Sequence, residues 1–246
     1  MLPEHLNMRS YVSGRQTAPV PAAAATQREL DRLFSRAAPL YDLQLRFERR
    51  ALRTAAGLAG PLAGRRVLDV ATGTGALAEA LVRHGGAPAA LVAVDRLPAM
   101  LHRARRRLSP LLPPGRLRVL RGDALRLPSD LGAFDLVTLG YLLHLLPPDA
   151  AVGALREAAR VLRPGGRVIA VTHSSPAGRL RAPYVRGWAI ARLLTGGRVI
   201  GAGPLDDLAP LAGRAGLRPA VSVRVPGAYW SQVLLADAPG PAPGVS

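Results

Sequence analysis

Apolar residues in this chain gather in short runs, each closed by a polar residue or glycine, and the runs are separated by stretches where apolar residues recur every three or four positions. The runs at 66–70, 90–95, 117–121, 134–139 and 167–172 are too short and too continuous for helices. They read as buried strands. The stretches 75–84, 97–108 and 149–162 carry the helical spacing, and Pro-rich residues 110–114 break the pattern before the third strand. Strand and helix alternate, which predicts an α/β domain with a parallel sheet covered on both faces. Crossovers in such sheets are right-handed and ligands bind beyond the carboxyl ends of the strands, so the loops after each strand must build the site.

The flanks are less regular. Residues 1–26, with Pro3, Pro19, Pro21 and an alanine run, are expected to form a flexible arm. Thr26-Gln-Arg-Glu29 is a capping box, opening a helical stretch with Leu30, Leu33 and Phe34 on one face. A second helical run after Pro39 ends before Gly60-Pro61, so residues 27–60 are expected to cap a domain covering 27–238. Residues 176–204 interrupt the alternation: Tyr184, Val185, Trp188, Ile190, Leu193 and Leu194, interleaved with Arg179, Arg181, Arg186 and Arg192, read as a basic amphipathic helix. It suits an acceptor-binding lid, a membrane-surface element, or cover for the domain's own core. A last helix over 205–215 and a hairpin of 219–225 with 229–236, joined by Pro226-Gly227, close the domain. Residues 239–246 are expected to be disordered.

The chemistry concentrates where the first strand turns into the first helix: Arg66-Val-Leu-Asp69-Val-Ala71-Thr72-Gly73-Thr-Gly75-Ala-Leu-Ala78. Glycine is needed where a strand passes at once into a helix and a ligand lies across the turn. Gly73-x-Gly75-x-x-Ala78 also satisfies the dinucleotide fingerprint, which keeps a nicotinamide-dependent oxidoreductase as an alternative. Asp69, at the strand end ahead of the glycines, would favour a cationic ligand and suit a pyrophosphate poorly. Asp95 closes the second strand about twenty residues after the turn, the spacing at which a carboxylate reaches ribose hydroxyls; its other reading is a helix N-cap. Two acids around one turn suit a nucleoside with a positive tail and no phosphate, as in S-adenosylmethionine. Met100, one turn into the next helix, would lie against the adenine edge or simply fill the core.

In order, VLDVATGTGALA, VAVDRLPAML, RGDALRLP, FDLVTLGYLLHLL and LRPGGRVIAVTH resemble a class I S-adenosylmethionine-dependent methyltransferase. The wording ATGTG and the upstream Phe34-Ser-Arg-Ala-Ala-Pro-Leu-Tyr41-Asp42 resemble most the C-methyltransferases of ubiquinone and menaquinone biosynthesis. The resemblance implies a Rossmann-like, doubly wound, seven-stranded sheet, mostly parallel with the last strand antiparallel, and S-adenosyl-L-methionine as cofactor. It places Tyr41, Asp69, Ala71, Thr72, Gly73, Gly75, Asp95, Arg96, Met100, Asp123, Ala124, Leu139 and Gly140 at the cofactor, with Asp123 and the next backbone N–H reading the adenine amino edge. Tyr141 and His144, after the fourth strand, fall where the transferable methyl should be. His144, Tyr141 and His173 are the candidate bases for a phenol or quinol acceptor, with His144 the first choice, His being best matched to neutral pH. One departure leaves the acceptor open: the quinone enzymes carry an Arg-Asn pair after the fourth strand, where this chain has Leu143-His144-Leu145. The expected activity is methyl transfer to a small lipophilic acceptor such as a quinol or phenol precursor, with a phospholipid or other small-molecule N- or O-methyltransferase as the alternative. Contact with a membrane surface and a homodimer are compatible with it.

Composition changes little. The chain has 246 residues, enough for one well-buried α/β domain, and no cysteine, which excludes disulfides, thiolate metal sites and a cysteine nucleophile. No metal site is expected. The formal net charge is +17, and all 33 Lys/Arg positions are arginine. In a chain rich in Ala, Gly, Pro and Leu this pattern fits high-GC codon usage, so no nucleic-acid partner is expected. Without a run of about eighteen apolar residues or a secretory signal, a cytoplasmic protein is expected, with a peripheral membrane position compatible.

Overall fold

In a computed structural model of the chain, residues 47–194, 204–227 and 230–238 are described, residues 191–194 without their side chains. The arm, residues 27–46 of the cap with Tyr41 among them, residues 195–203 of the insertion, Ala228, Tyr229 and the tail lie outside the described residues.

Helix α1 (residues 47–59) leads into a sheet of seven strands: β1 (Arg66–Val70), β2 (Ala90–Asp95), β3 (Leu117–Arg121), β4 (Phe134–Gly140), β5 (Leu162–His173), β6 (Arg218–Val225) and β7 (Ser231–Asp237). Their order is β3-β2-β1-β4-β5-β7-β6. The first five pair in parallel, and β7 runs antiparallel to both β5 and β6. The strand order reverses between β1 and β4, the switch point that opens a crevice beyond the strands' carboxyl ends. Helices α2 (Ala76–Gly85), α3 (Pro98–Leu108), α4 (Pro148–Arg160), α5 (Arg181–Leu194) and α6 (Ala209–Arg214) complete the domain.

Alternating strand residues explain the two-sided core. Leu68, Val70, Val92, Val94, Val137 and Leu139 pack with α4 and α6, while Val67, Leu91, Ala93, Leu136, Ile169 and Val171 pack with α1, α2 and α3. Both faces of the central strands are covered, which is why they read as continuous apolar runs.

Three expectations are corrected. Arg163-Pro164-Gly165-Gly166 is drawn into the start of β5, where Leu162 pairs with Phe134 before a register shift, so that strand begins five residues earlier than Arg167. Gly166 permits this, since a Cβ there would meet the Phe134 carbonyl oxygen at 3.0 Å. The helix expected over 205–215 is confined to α6, because Leu205 bridges to Ser174 and Asp207 turns the chain by accepting the Ala209 N–H at 3.0 Å. The hairpin pairs Val225 with Ser231, so its second strand starts beyond Tyr229.

Candidate active site at the switch point

The turn between β1 and α2 is held in left-handed backbone at three positions: Ala71 (φ 51°), Gly73 (φ 54°) and Gly75 (φ 82°). At Gly75 the reason is close approach, since a Cβ would stand 3.2 Å from the Ala104 Cα on α3. At Gly73 a Cβ would meet nothing within 4 Å, so only the backbone asks for glycine there. The Thr72 N–H donates to the Val94 carbonyl at 2.9 Å and the Gly75 N–H to the Thr72 carbonyl at 2.8 Å, tying the turn to β2.

Asp69 and Asp95 hold this turn from inside. Asp69 is 1% exposed. Its Oδ2 accepts the Thr72 hydroxyl and its Oδ1 the Thr138 hydroxyl, each at 2.6 Å, and Thr138 is its register partner on β4. Burial pushes the Asp69 carboxyl up to about 6 against these two bonds, with the Asp95 charge adding to the rise. Asp95 is also buried. Its Oδ2 accepts the Gly73 N–H and its Oδ1 the Leu97 N–H, both at 2.9 Å, so one carboxylate joins the glycine turn to the start of α3. Burial raises its pKa against the Leu97 and Gly73 bonds.

Sequence reasoning missed Arg107. Its Nη1 donates to the Thr74 carbonyl at 3.0 Å and to the Thr74 hydroxyl at 2.6 Å, while its Nε lies 3.2 Å from Glu79 Oε2. The Arg103–Arg107 cluster reads as a solvated helix face, yet this member clamps the turn. No local signal marks it, because the contact depends on α3 lying against Gly75.

Around the turn, Met100 is buried on α3, Arg96 is half-buried, and Leu139 and Gly140 end β4. Asp123 is exposed after β3, its Oδ1 accepting the Leu125 N–H at 2.9 Å as a turn aspartate does; Ala124 beside it is half-buried.

The candidate bases do converge. Tyr141 follows β4 in left-handed backbone (φ 54°), its N–H donating to the Val171 carbonyl at 2.7 Å and its hydroxyl 2.9 Å from the Ser231 Oγ. The His173 ring lies 4.7 Å from Tyr141, 4.6 Å from His144 and 5.9 Å from Trp188. The His144 Nδ1 is 3.3 Å from the Thr172 Oγ1. Burial pulls His173 down to about 4, holds His144 well below its usual range with His173 adding to it, and raises Tyr141 with the Glu48 carboxylate adding to it. All three rings are therefore neutral near pH 7. A non-glycine residue in left-handed backbone at each of the two central strand ends, Ala71 after β1 and Tyr141 after β4, is the kind of strain that clusters at functional sites. Among the described residues no group of three or more His, Cys, Asp or Glu side chains could hold a metal ion.

These features fit S-adenosylmethionine on chemical grounds: Asp69 and Asp95 set two buried carboxylates beneath the turn, a field that favours a cationic ligand, and Gly73 leaves the turn without a side chain. The fold and this turn define the class, that of the S-adenosylmethionine-dependent methyltransferases. A methyltransferase domain family matches residues 67–166. The chain is 33% identical over 217 residues to the demethylmenaquinone methyltransferase of Mycolicibacterium paratuberculosis, covering 84% of this chain and 87% of that one. It is 34% identical over 144 residues to the ubiquinone/menaquinone biosynthesis C-methyltransferase UbiE of Pseudomonas putida, spanning 58% of this chain and only 55% of that relative. The magnesium protoporphyrin IX methyltransferase ChlM of Synechocystis PCC 6803, solved with bound SAH, shares the fold at a TM-score of 0.58 and 17% identity, over 79% of this chain and 86% of that one. The chain belongs to the S-adenosylmethionine-dependent methyltransferase family that contains these quinone-pathway C-methyltransferases.

Proposed function

We propose that this chain transfers the methyl group of S-adenosylmethionine to a small, lipophilic acceptor, a quinol or phenol precursor. The observation that carries the acceptor is the neutral, dry ring cluster of Tyr141, His144 and His173 at the ends of β4 and β5, with Trp188 of α5 against it. Such a wall accepts an uncharged planar ring by edge and face contacts and brings no positive charge to a phosphate. The names of the curated relatives agree with that acceptor class.

The bound cofactor supplies a methyl group on a positively charged sulfur, already a strong electrophile. The protein's part is to bind, orient and exclude water. Asp69 sets negative charge beneath the turn formed by Ala71, Thr72, Gly73 and Gly75, while Asp95, with Arg96 beside it, takes the ribose side. Met100, Asp123 and Ala124 line the adenine side, and Leu139 and Gly140 lead to Tyr141. Tyr41 is assigned to the same site. Residues 176–204 act as the acceptor lid, and holding acceptor and methyl in line removes several kcal/mol of barrier, on the order usual for oriented reactants. His144, whose Nδ1 faces the Thr172 hydroxyl, and His173 are the candidate proton acceptors there.

A second reading, a phospholipid or other amine as acceptor at a membrane surface, is favoured by α5 and its lead-in. Leu180 is 63% and Ile190 57% exposed beside Arg179 and Arg186. No described helix is long and apolar enough to cross a membrane.

Mass spectrometry of the purified protein incubated with labelled S-adenosylmethionine and its host's lipid extract tests both readings. A labelled aromatic lipid that the Asp95→Ala variant fails to make is expected. Label in a phospholipid would replace the first reading with the second, and cofactor binding without any lipid product would refute both.

A further inference from the structure

β3 is a free edge of the sheet: among the described residues it pairs with β2 alone. The direction of its backbone groups follows from the ladder. The Leu91 N–H donates to the Arg116 carbonyl at 2.8 Å and the Gly122 N–H to the Asp95 carbonyl at 3.0 Å, so the even-numbered residues of this stretch turn their backbone toward β2. Leu117, Val119 and Arg121 therefore turn their N–H and carbonyl groups outward, where no described strand meets them. Beside them lies a hollow of about 390 Å³, lined by Arg105 near the end of α3, by Ser109, Pro113 and Pro114 of the connection, and by Leu117 and Arg118 of β3. Residues 96–122 carry eight arginines and no acid. Arg105, Arg106 and Arg118 are exposed, and none of the three has a hydrogen bond or ion pair among the described residues.

We propose that this edge docks an extended, acidic segment of another protein, which adds to the sheet as a further strand: its backbone pairs with Leu117, Val119 and Arg121, and its carboxylates meet Arg105 and Arg118. The inference goes beyond methyl transfer and does not depend on the acceptor. Two demands select this partner. Outward N–H and carbonyl groups in alternation are answered by another strand, whose main chain carries the same groups at the same spacing. A nucleic acid or an anionic lipid would neutralise the arginines and leave these backbone groups to water. The positive charge then selects among strands. A second copy of β3 would set arginine against arginine across the pair, which is unfavourable. No eight-residue stretch of the 246 residues holds more than two acids, so this chain does not supply the segment itself. The hollow receives side chains of the added strand on the α3 side, since alternate residues of a strand point to opposite faces.

The test is fluorescence anisotropy of the full chain with a labelled synthetic peptide of about eight residues alternating Glu and Val, a length within the usual range of strands. Binding should saturate, and a peptide alternating Lys and Val should not bind. Two further peptides carry N-methyl groups at alternate residues, in the two possible phases. The one whose methyl groups face β3 should bind at least about tenfold more weakly, the loss of about one or two net hydrogen bonds, and the other should match the parent. Arg105→Gln combined with Arg118→Gln should weaken the parent peptide several-fold at low salt and leave S-adenosylmethionine affinity unchanged, which shows that the variant is folded. Hydrogen exchange on wild type should show the Leu117, Val119 and Arg121 amides gaining at least about tenfold protection with peptide bound, while the Arg118 and Leu120 amides, already in the β2 ladder, stay as they were. No binding would overturn the proposal and leave the arginines as a guard against edge pairing. Indifference to the methyl phase, or protection without alternation, would overturn the added strand. An oligonucleotide of equal charge bound as tightly as the peptide would put nucleic acid in the partner's place.

Discussion

Asp69 is an acid that the fold makes hard to ionise, and the consequence can be measured. Its carboxyl binds a proton more tightly in the folded chain, at about 6, than at the ordinary value of 3.8. Between those values the native state holds more protons than the unfolded one, so this group's contribution to stability falls as pH rises through the window and is level above it. The shift amounts to roughly 2–3 kcal/mol at most. Thermal melts from pH 4 to 7 should therefore show Asp69→Asn gaining on wild type as pH rises, with no further gain above about pH 6.5; parallel curves would mean that Asp69 ionises normally. Cofactor affinity should run the other way. A cationic ligand favours the charged carboxylate, so titration calorimetry should find S-adenosylmethionine binding tightening from pH 5 to 7 in wild type and less steeply in the variant, where only Asp95 still titrates with a raised pKa. Asp95 acts through geometry instead. Asp95→Ala leaves the Gly73 and Leu97 N–H groups without their acceptor, at about 1–3 kcal/mol for each that stays buried, and should weaken cofactor binding at least about tenfold.

The turn from β1 to α2 separates two uses of glycine, and alanine at each should separate them in experiment. Both positions carry positive φ, which costs an alanine about 1–2 kcal/mol. At Gly75 the added methyl also meets the Ala104 Cα at 3.2 Å and the Leu108 side chain at 3.3 Å, so Gly75→Ala should lower stability by about 2–4 kcal/mol in denaturant melts. At Gly73 the methyl meets no protein atom within 4 Å, so Gly73→Ala should cost little more than the backbone term while reducing cofactor affinity far more than Gly75→Ala does per kcal/mol of stability lost. The opposite ranking would place the cofactor off the turn. This element was legible in the sequence because its signals are local: an apolar run, an acid, two glycines and a helix start follow one another. The Arg107 clamp was not, because it depends on α3 lying against Gly75, 33 residues from Thr74 along the chain. Glu48 was hidden for a similar reason. Between Phe47 and two exposed arginines it reads as solvated, and only the packing of α1 on the β5 face turns it inward. The start of β5 was misread because Pro-Gly-Gly ends a helix in local terms, whereas the pairing of Leu162 with Phe134 is a tertiary contact.

Across the molecule, arginine does two jobs that leave the charge imbalance standing. Some guanidinium groups pair with carboxylates, as Arg83 with Glu79, Arg160 with Glu157, Arg181 with Asp206 and Arg214 with Asp149, all at solvent-facing positions where such pairs are weak. Others cap carbonyl oxygens: Arg65 and Arg167 both donate to Ala59 at the end of α1, Arg116 to Pro88 and Arg224 to Asp206. The planar fork suits those contacts, and a cation at a helix C-terminus is favourable, yet a carbonyl cancels no charge. With a formal net charge of +17, self-repulsion outweighs the few surface pairs. Salt should therefore stabilise this protein. Raising sodium chloride from about 20 to 300 mM shortens the screening length from about 20 Å to under 8 Å, weakening long-range repulsion more than close pairs. Scanning calorimetry should show Tm rising by about 2–4 °C, the response of a chain of this size to about 1 kcal/mol. A fall in Tm would mean that the ion pairs dominate and that the arginines are arranged for attraction within the fold.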